Sequence, residues 1–179
     1  AAGLYTVATK MAKPLAFIVS MVQQSWVPFK FHIHKTDAHP AQTFKQLISL
    51  YWVGVIALWG IFSLLTPWLY HWLIDPKYWA GIPYVPFIMS ISVAQAIYFT
   101  MITGFELSSR QMLVIKASFL SMVAMIGLSL LTLHFYPPYG FIVAQAMAFL
   151  IMGAIIYPEA KRVIRLDLPF GSILLFAVI

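Results

Sequence analysis

The sequence predicts an all-α fold: a multi-pass transmembrane bundle of about five complete membrane-spanning helices plus a truncated sixth. Three observations predict it. Of 179 residues, 62% are hydrophobic and 9% charged, where a soluble domain carries about 25% charged residues. The apolar residues gather into blocks of roughly 18 to 27, each long enough at about 1.5 Å per residue to cross a hydrocarbon core of about 30 Å. Short segments rich in proline, aromatic rings and lysine or arginine separate the blocks. A chain of mean hydropathy +0.89 cannot cover itself with polar surface, so its solvent is a bilayer.

The first predicted helix covers residues 4–29, is interrupted by Lys10, Lys13 and Pro14, and closes at Pro28. A polar loop over 30–42 holds His32, His34, Asp37 and His39. The second helix, 43–65, ends at Thr66-Pro67, because the residue before a proline is pushed out of the α region. An aromatic loop follows over 68–80. The third helix, 81–105, takes Pro83 and Pro86 into its first turns, where a missing N–H costs least. The fourth spans 112–135 and stops at Pro137-Pro138; the fifth spans 140–158. A segment with Lys161, Arg162 and Arg165 leads into an apolar run over 170–179, too short to span. Ala1 is not an initiator methionine, so residues 1–179 are expected to be one membrane domain, a fragment of a longer chain.

Eight of the eleven basic residues fall on one side when the loops alternate: Lys30, Lys35, Lys45, Arg110, Lys116, Lys161, Arg162 and Arg165. The other side has Lys77 in its loops, with Trp68, Tyr70, Trp72, Tyr78, Trp79, Tyr84, Tyr136 and Tyr139, rings that favour the headgroup layer. The basic side is therefore expected to be cytoplasmic. The net charge of +6 forms no continuous basic face, which excludes a nucleic-acid partner. With no cysteine there is neither disulfide nor thiol ligand.

Lys10 and Lys13, three residues apart, share a helical face. A lysine at mid-bilayer costs about 2.5 to 3.5 kcal/mol, and each Leu, Ile, Val or Phe returns about 0.3 to 0.6. Two deep lysines would nearly cancel the apolar residues of the first helix, so they sit at an interface or face a hydrated cavity. A helix beginning at Pro14 would leave both in the headgroup layer, but at about 24 Å it would be short for a span. Gln23 and Gln24 lie further along, where an amide faces a helix or a cavity rather than lipid. Gly54, Gly60, Gly104, Gly127 and Gly153 fit close helix contact or local flexing. His32, His34, His39 and Asp37 lack a metal-ligand spacing, and Glu106 and Arg110 suit an interfacial ion pair. No nucleophile elbow, phosphate loop or paired-carboxylate site is present, so no metal, cofactor or enzymatic activity is expected.

Several stretches in order carry a resemblance: Gly3-Leu4-Tyr5-Thr6-Val7-Ala8 followed by Lys10, Gln23-Gln24-Ser25-Trp26-Val27-Pro28-Phe29, Tyr78-Trp79-Ala80-Gly81-Ile82-Pro83 with Val85-Pro86, and Tyr139-Gly140. Over about residues 2–165 the chain resembles the polysaccharide (O-antigen type) flippases of the bacterial MATE-like exporter superfamily. Members have about 12 to 14 helices in two lobes, and the resemblance implies that this chain is most of the second lobe, without its first helix and the N-terminal lobe. It implies a flippase in the bacterial cytoplasmic membrane that moves an undecaprenyl-pyrophosphate-linked oligosaccharide by alternating access. Membrane lipids and the missing lobe of the same chain are the other implied partners. Lys10 and Lys13, with Gln23 and Gln24, would then bind substrate, the lysines holding a pyrophosphate where the dielectric is low. A drug or small-molecule exporter of the same fold is the first alternative, and a membrane glycan polymerase or acyltransferase the second.

Overall fold

The computed structural model describes residues 2–37, 39–108, 111–135 and 139–164. They form five α-helices, α1 (Ala2–Thr36), α2 (Pro40–Leu73), α3 (Tyr84–Ser108), α4 (Gln111–Phe135) and α5 (Tyr139–Ile164), with a 3-10 helix (Pro76–Gly81) between α2 and α3. The predicted all-helical class holds among these residues. Four stretches are long and apolar enough to cross a membrane: Pro40–Leu73, Tyr84–Thr103, Met112–Thr132 and Tyr139–Pro158. α1 is not among them, because lysines and glutamines dilute its apolar residues. The expected sixth helix, 170–179, lies outside the described residues, as does Arg110 of the expected Glu106–Arg110 pair.

Three predicted boundaries are corrected. α1 does not close at Pro28 but runs on to Thr36, so the loop expected over 30–42 shrinks to a turn between α1 and α2. Proline removes one hydrogen bond from a helix interior, and here burial of the next turns offsets it: Lys30 and Ile33 are 1% and 5% exposed. Asp37 closes the turn, accepting from Thr43 Oγ1 at 2.6 Å and from the His39 N–H at 2.9 Å. These bonds hold its carboxyl below the usual carboxylate range. Likewise α2 passes through Pro67 to Leu73. The Thr66 hydroxyl donates to the Phe62 carbonyl at 2.7 Å, and Tyr70, one turn on, is fully buried. α3 begins at Tyr84, with Pro83 just ahead and Pro86 in its first turn.

α3 is the centre of the bundle, packed against α1, α2 and α5, while α4 packs mainly on α5. The core runs the length of the bundle in three clusters. Ala8, Leu15, Tyr70, Val85 and Ile142 fill one end. Val19, Val55 and Ala96 fill the middle, and Ile33, Phe44, Trp52, Met101 and Ile156 the other end. Residues from the start of α1, the end of α2 and the starts of α3 and α5 thus share one end, so successive helices alternate in direction. Three indoles tie the first two helices to α3: Trp26 Nε1 donates to Thr103 Oγ1 at 3.0 Å, Trp52 Nε1 to Thr100 Oγ1 at 3.0 Å, and Trp59 Nε1 to the Pro86 carbonyl at 2.9 Å.

The aromatic end holds Tyr84 against Tyr139, ring centres 4.7 Å apart, His71 against Trp79 at 4.0 Å, and a Lys77–Asp75 ion pair at 3.5 Å. Two glycines are demanded by packing. A Cβ on Gly140 would lie 2.6 Å from the backbone of Thr132, and one on Gly81 would lie 3.2 Å from both the Leu4 carbonyl and the Tyr70 hydroxyl. Gly153 lies close to Met101. Gly54, Gly60 and Gly127 have nothing within 4 Å of an added Cβ, so of the two expected roles, close helix contact and local flexing, the first does not apply to them among the described residues.

Candidate functional site

Helical periodicity divides α1 into two faces. Ala8, Ala12, Leu15, Val19, Lys30 and Ile33 recur at helical spacing and are buried against the bundle. The opposite face is exposed, and it carries Thr6, Lys10, Lys13, Gln24, Ser25, His32 and Lys35 among the apolar Phe17, Met21 and Phe31. The exposed face of α4 is apolar by contrast, Met112, Ile115, Phe119, Met122, Ile126 and Leu130, with Lys116 its one charged side chain among those described; the start of α2 also exposes Gln42, Lys45 and Gln46, which with Ser49, Leu50 and Val53 line a groove of about 710 Å³.

The structure places the four predicted site residues in three different settings. Lys10 and Lys13 stand one turn apart on the exposed face, inside an unbroken helix, so the alternative of a helix starting at Pro14 does not hold. α1 contains no acidic residue, and neither lysine meets a carboxylate among the described residues. Two like charges at that spacing raise the local positive potential and leave it uncompensated. Gln24 shares their face but lies eleven residues beyond Lys13, about 16 Å along the axis. Gln23 points elsewhere: it is half-buried, one turn from Val19, and its amide nitrogen has no hydrogen-bond partner. The lysines and glutamines therefore do not form a single pocket. The lysine pair is one feature, Gln24 a second, and Gln23, turned away from both, a third.

Lys30 was expected in a polar loop and is instead buried, its ammonium 5.3 Å from the Phe31 ring centre. The signal was in the sequence, since Lys30 falls at helical spacing between Trp26 and Ile33. Two of the motifs carrying the family resemblance meet in space. A Cβ on Gly3 would lie 3.5 Å from the Tyr78 ring, and Gly81 packs on Leu4, so they form the joint between α1 and the 3-10 helix. His32 and His39 are exposed, and no three His, Cys, Asp or Glu gather to hold a metal among the described residues. A cavity of about 290 Å³ between α2, α3 and α5, lined by Trp52, Ile97, Met101, Phe149 and Tyr157 among others, offers no charge to an anion.

No protein-family model matches the chain, and no curated protein or solved structure matches it.

Proposed function

We propose that the chain is most of one lobe of a lipid-linked oligosaccharide flippase in the bacterial cytoplasmic membrane, with α1 as a fifth crossing and residues 170–179 opening a sixth. The observation that carries this reading is the exposed face of α1. In a bundle whose outside is mainly apolar away from the start of α2, two lysines on that face cost several kcal/mol against lipid and little against a hydrated passage. A passage lined by uncompensated ammonium groups favours an anion, and in low dielectric each is worth more than in water. A pyrophosphate supplies concentrated negative charge. The hydroxyl and amide of Ser25 and Gln24, further along the same face, suit sugars.

The resemblance to the polysaccharide flippases supports the same substrate class, and transport then proceeds as alternating access between this lobe and its partner lobe. The basic end faces the cytoplasm and the aromatic end the periplasm. The passage carries a glycan on a lipid and no reaction, so no cofactor takes part.

The test is complementation of a flippase-deficient strain by the full-length protein carrying Lys10→Ala, Lys13→Ala or both. Surface glycan is expected to fall at least tenfold in the double variant at normal membrane abundance, with partial rescue by Arg, because a point charge is what matters. Normal glycan from the double variant would remove the pair from the mechanism.

A further inference from the structure

A proline inside a helix has no N–H to give the carbonyl four residues earlier. Pro14 and Pro28 both lie inside the continuous α1, so the carbonyls of Lys10 and Gln24 lack their intrahelical donors. In an α-helix the carbonyl of residue i is surrounded by side chains i, i+3, i+4 and i+7. Around the first carbonyl these are Lys10, Lys13, Pro14 and Phe17; around the second, Gln24, Val27, Pro28 and Phe31. All eight residues are exposed. Both carbonyls therefore open onto the exposed stripe, fourteen residues or about 21 Å apart.

The hydroxyls on α1 that could satisfy them are engaged elsewhere. Thr9 donates to the Tyr5 carbonyl, Ser20 to Ala16 and Ser25 to Met21. A backbone acceptor without a donor is costly against hydrocarbon unless a neighbouring helix, a side-chain hydroxyl, bound water or a local change of helix winding satisfies it. Facing water or a hydroxylated ligand, it costs little.

We infer that the two proline breaks of α1 are hydroxyl-recognition points: the Lys10 and Gln24 carbonyls accept O–H donors from the glycan part of the cargo, while the lysine ammonium groups take its phosphates. This rests on the reading that the exposed face of α1 lines the substrate passage. It goes beyond it in assigning sugar recognition to main-chain acceptors created by Pro14 and Pro28. Because the carbonyls are backbone groups with broad acceptance, the recognition is of hydroxyl-rich ligands as a class rather than of one sugar.

The experiment measures binding of two probes to the full-length protein in nanodiscs: a short-chain polyprenyl pyrophosphate, and the same molecule carrying a neutral disaccharide. The native protein is expected to bind the sugar-bearing probe more tightly. Pro28→Ala and Pro28→Gly each restore an N–H that reclaims the Gln24 carbonyl. Both are expected to weaken the sugar-bearing probe about fivefold, what one net hydrogen bond amounts to, and to leave the sugarless probe unchanged. Thermal stability should hold or rise, since a helical bond is regained. If Pro28→Gly binds like the native protein while Pro28→Ala does not, the proline acts as a flexible joint and the inference is wrong. Equal binding of both probes to the native protein also overturns it. Failure of the native protein to bind either probe removes the flippase reading and this inference with it, whereas loss of binding in the lysine variants alone leaves the first standing and the second refuted.

Discussion

Trp52 on α2 donates its indole N–H to Thr100 Oγ1 on α3 at 3.0 Å, and the Thr100 hydroxyl donates in turn to the Ile97 carbonyl at 2.7 Å. Both residues are buried, in the part of the bundle where α2 leans on the central helix. The relay satisfies two polar groups that lipid could not, and it fixes the rotation of α2 about its axis. Trp52→Phe and Thr100→Val are each expected to destabilise the full-length protein by about 0.5 to 1.5 kcal/mol. The double variant should cost less than the sum of the two, because both remove one bond. Strictly additive losses in reversible unfolding would show that the bond contributes nothing.

Glycines in these helices divide by what surrounds them. At Gly140 a methyl group would enter the Thr132 backbone, which cannot step aside, so Gly140→Ala should cost about 1 to 3 kcal/mol as overpacking and part α4 from α5. At Gly54, Gly60 and Gly127 the space is open. Alanine there should be neutral or stabilising by up to about 1 kcal/mol, the helix-propensity difference. Thermal melts of the four single variants give the comparison, and an inverted order would contradict the packing described here.

The turn between α1 and α2 should respond to acid. Hydrogen bonds from Thr43 and His39 hold the Asp37 carboxyl below its ordinary range. A carboxyl whose folded pKa is depressed adds stability that is fully present above its unfolded value, about 3.9. That stability is lost as pH falls through the lower folded value. Amide exchange at His39 and Thr43, taken as a ratio to an Asp37→Ala variant, should show protection at neutral pH that disappears only in strong acid. A ratio of one throughout would mean that the carboxylate does not hold the turn.

Sidedness follows from the alternation of helix direction together with the placement of the basic and aromatic residues. Lys35 and Lys77 are both exposed and lie at opposite ends of the bundle. With single cysteines at these two positions in otherwise cysteine-free full-length protein, an impermeant thiol reagent added to intact cells should label position 77 and spare position 35. The opposite pattern would invert the topology.

The helical class was legible because only helices satisfy backbone groups in apolar blocks of that length. The order of elements was legible from the same blocks. The ends of α1 and α2 were not, since Pro28 and Pro67 signal termination locally while Ile33 and Tyr70, buried one turn later, outweigh that signal through contacts with distant parts of the chain. At the candidate site, the shared face of Lys10 and Lys13 followed from a spacing of three. The separation of Gln23 from Gln24 also follows from geometry, because adjacent helical residues point about 100° apart. Which of the two turned outward depended on where α2 and α3 sit, and a single sequence does not carry that.

The three indole bonds to α3 have a consequence for the order of synthesis. Trp26, Trp52 and Trp59 leave the ribosome well before their acceptors at Pro86, Thr100 and Thr103. Until about thirty more residues have followed α2, those donors lack the acceptors that α3 brings, and the rotation of neither early helix is fixed by them. Up to that point α1 and α2 are a provisional pair. Arrival of α3, apolar over Tyr84–Thr103, is the event that commits it, so a lesion in α3 should reach the quality-control proteases as a misassembled α1–α2 pair rather than as a faulty third helix.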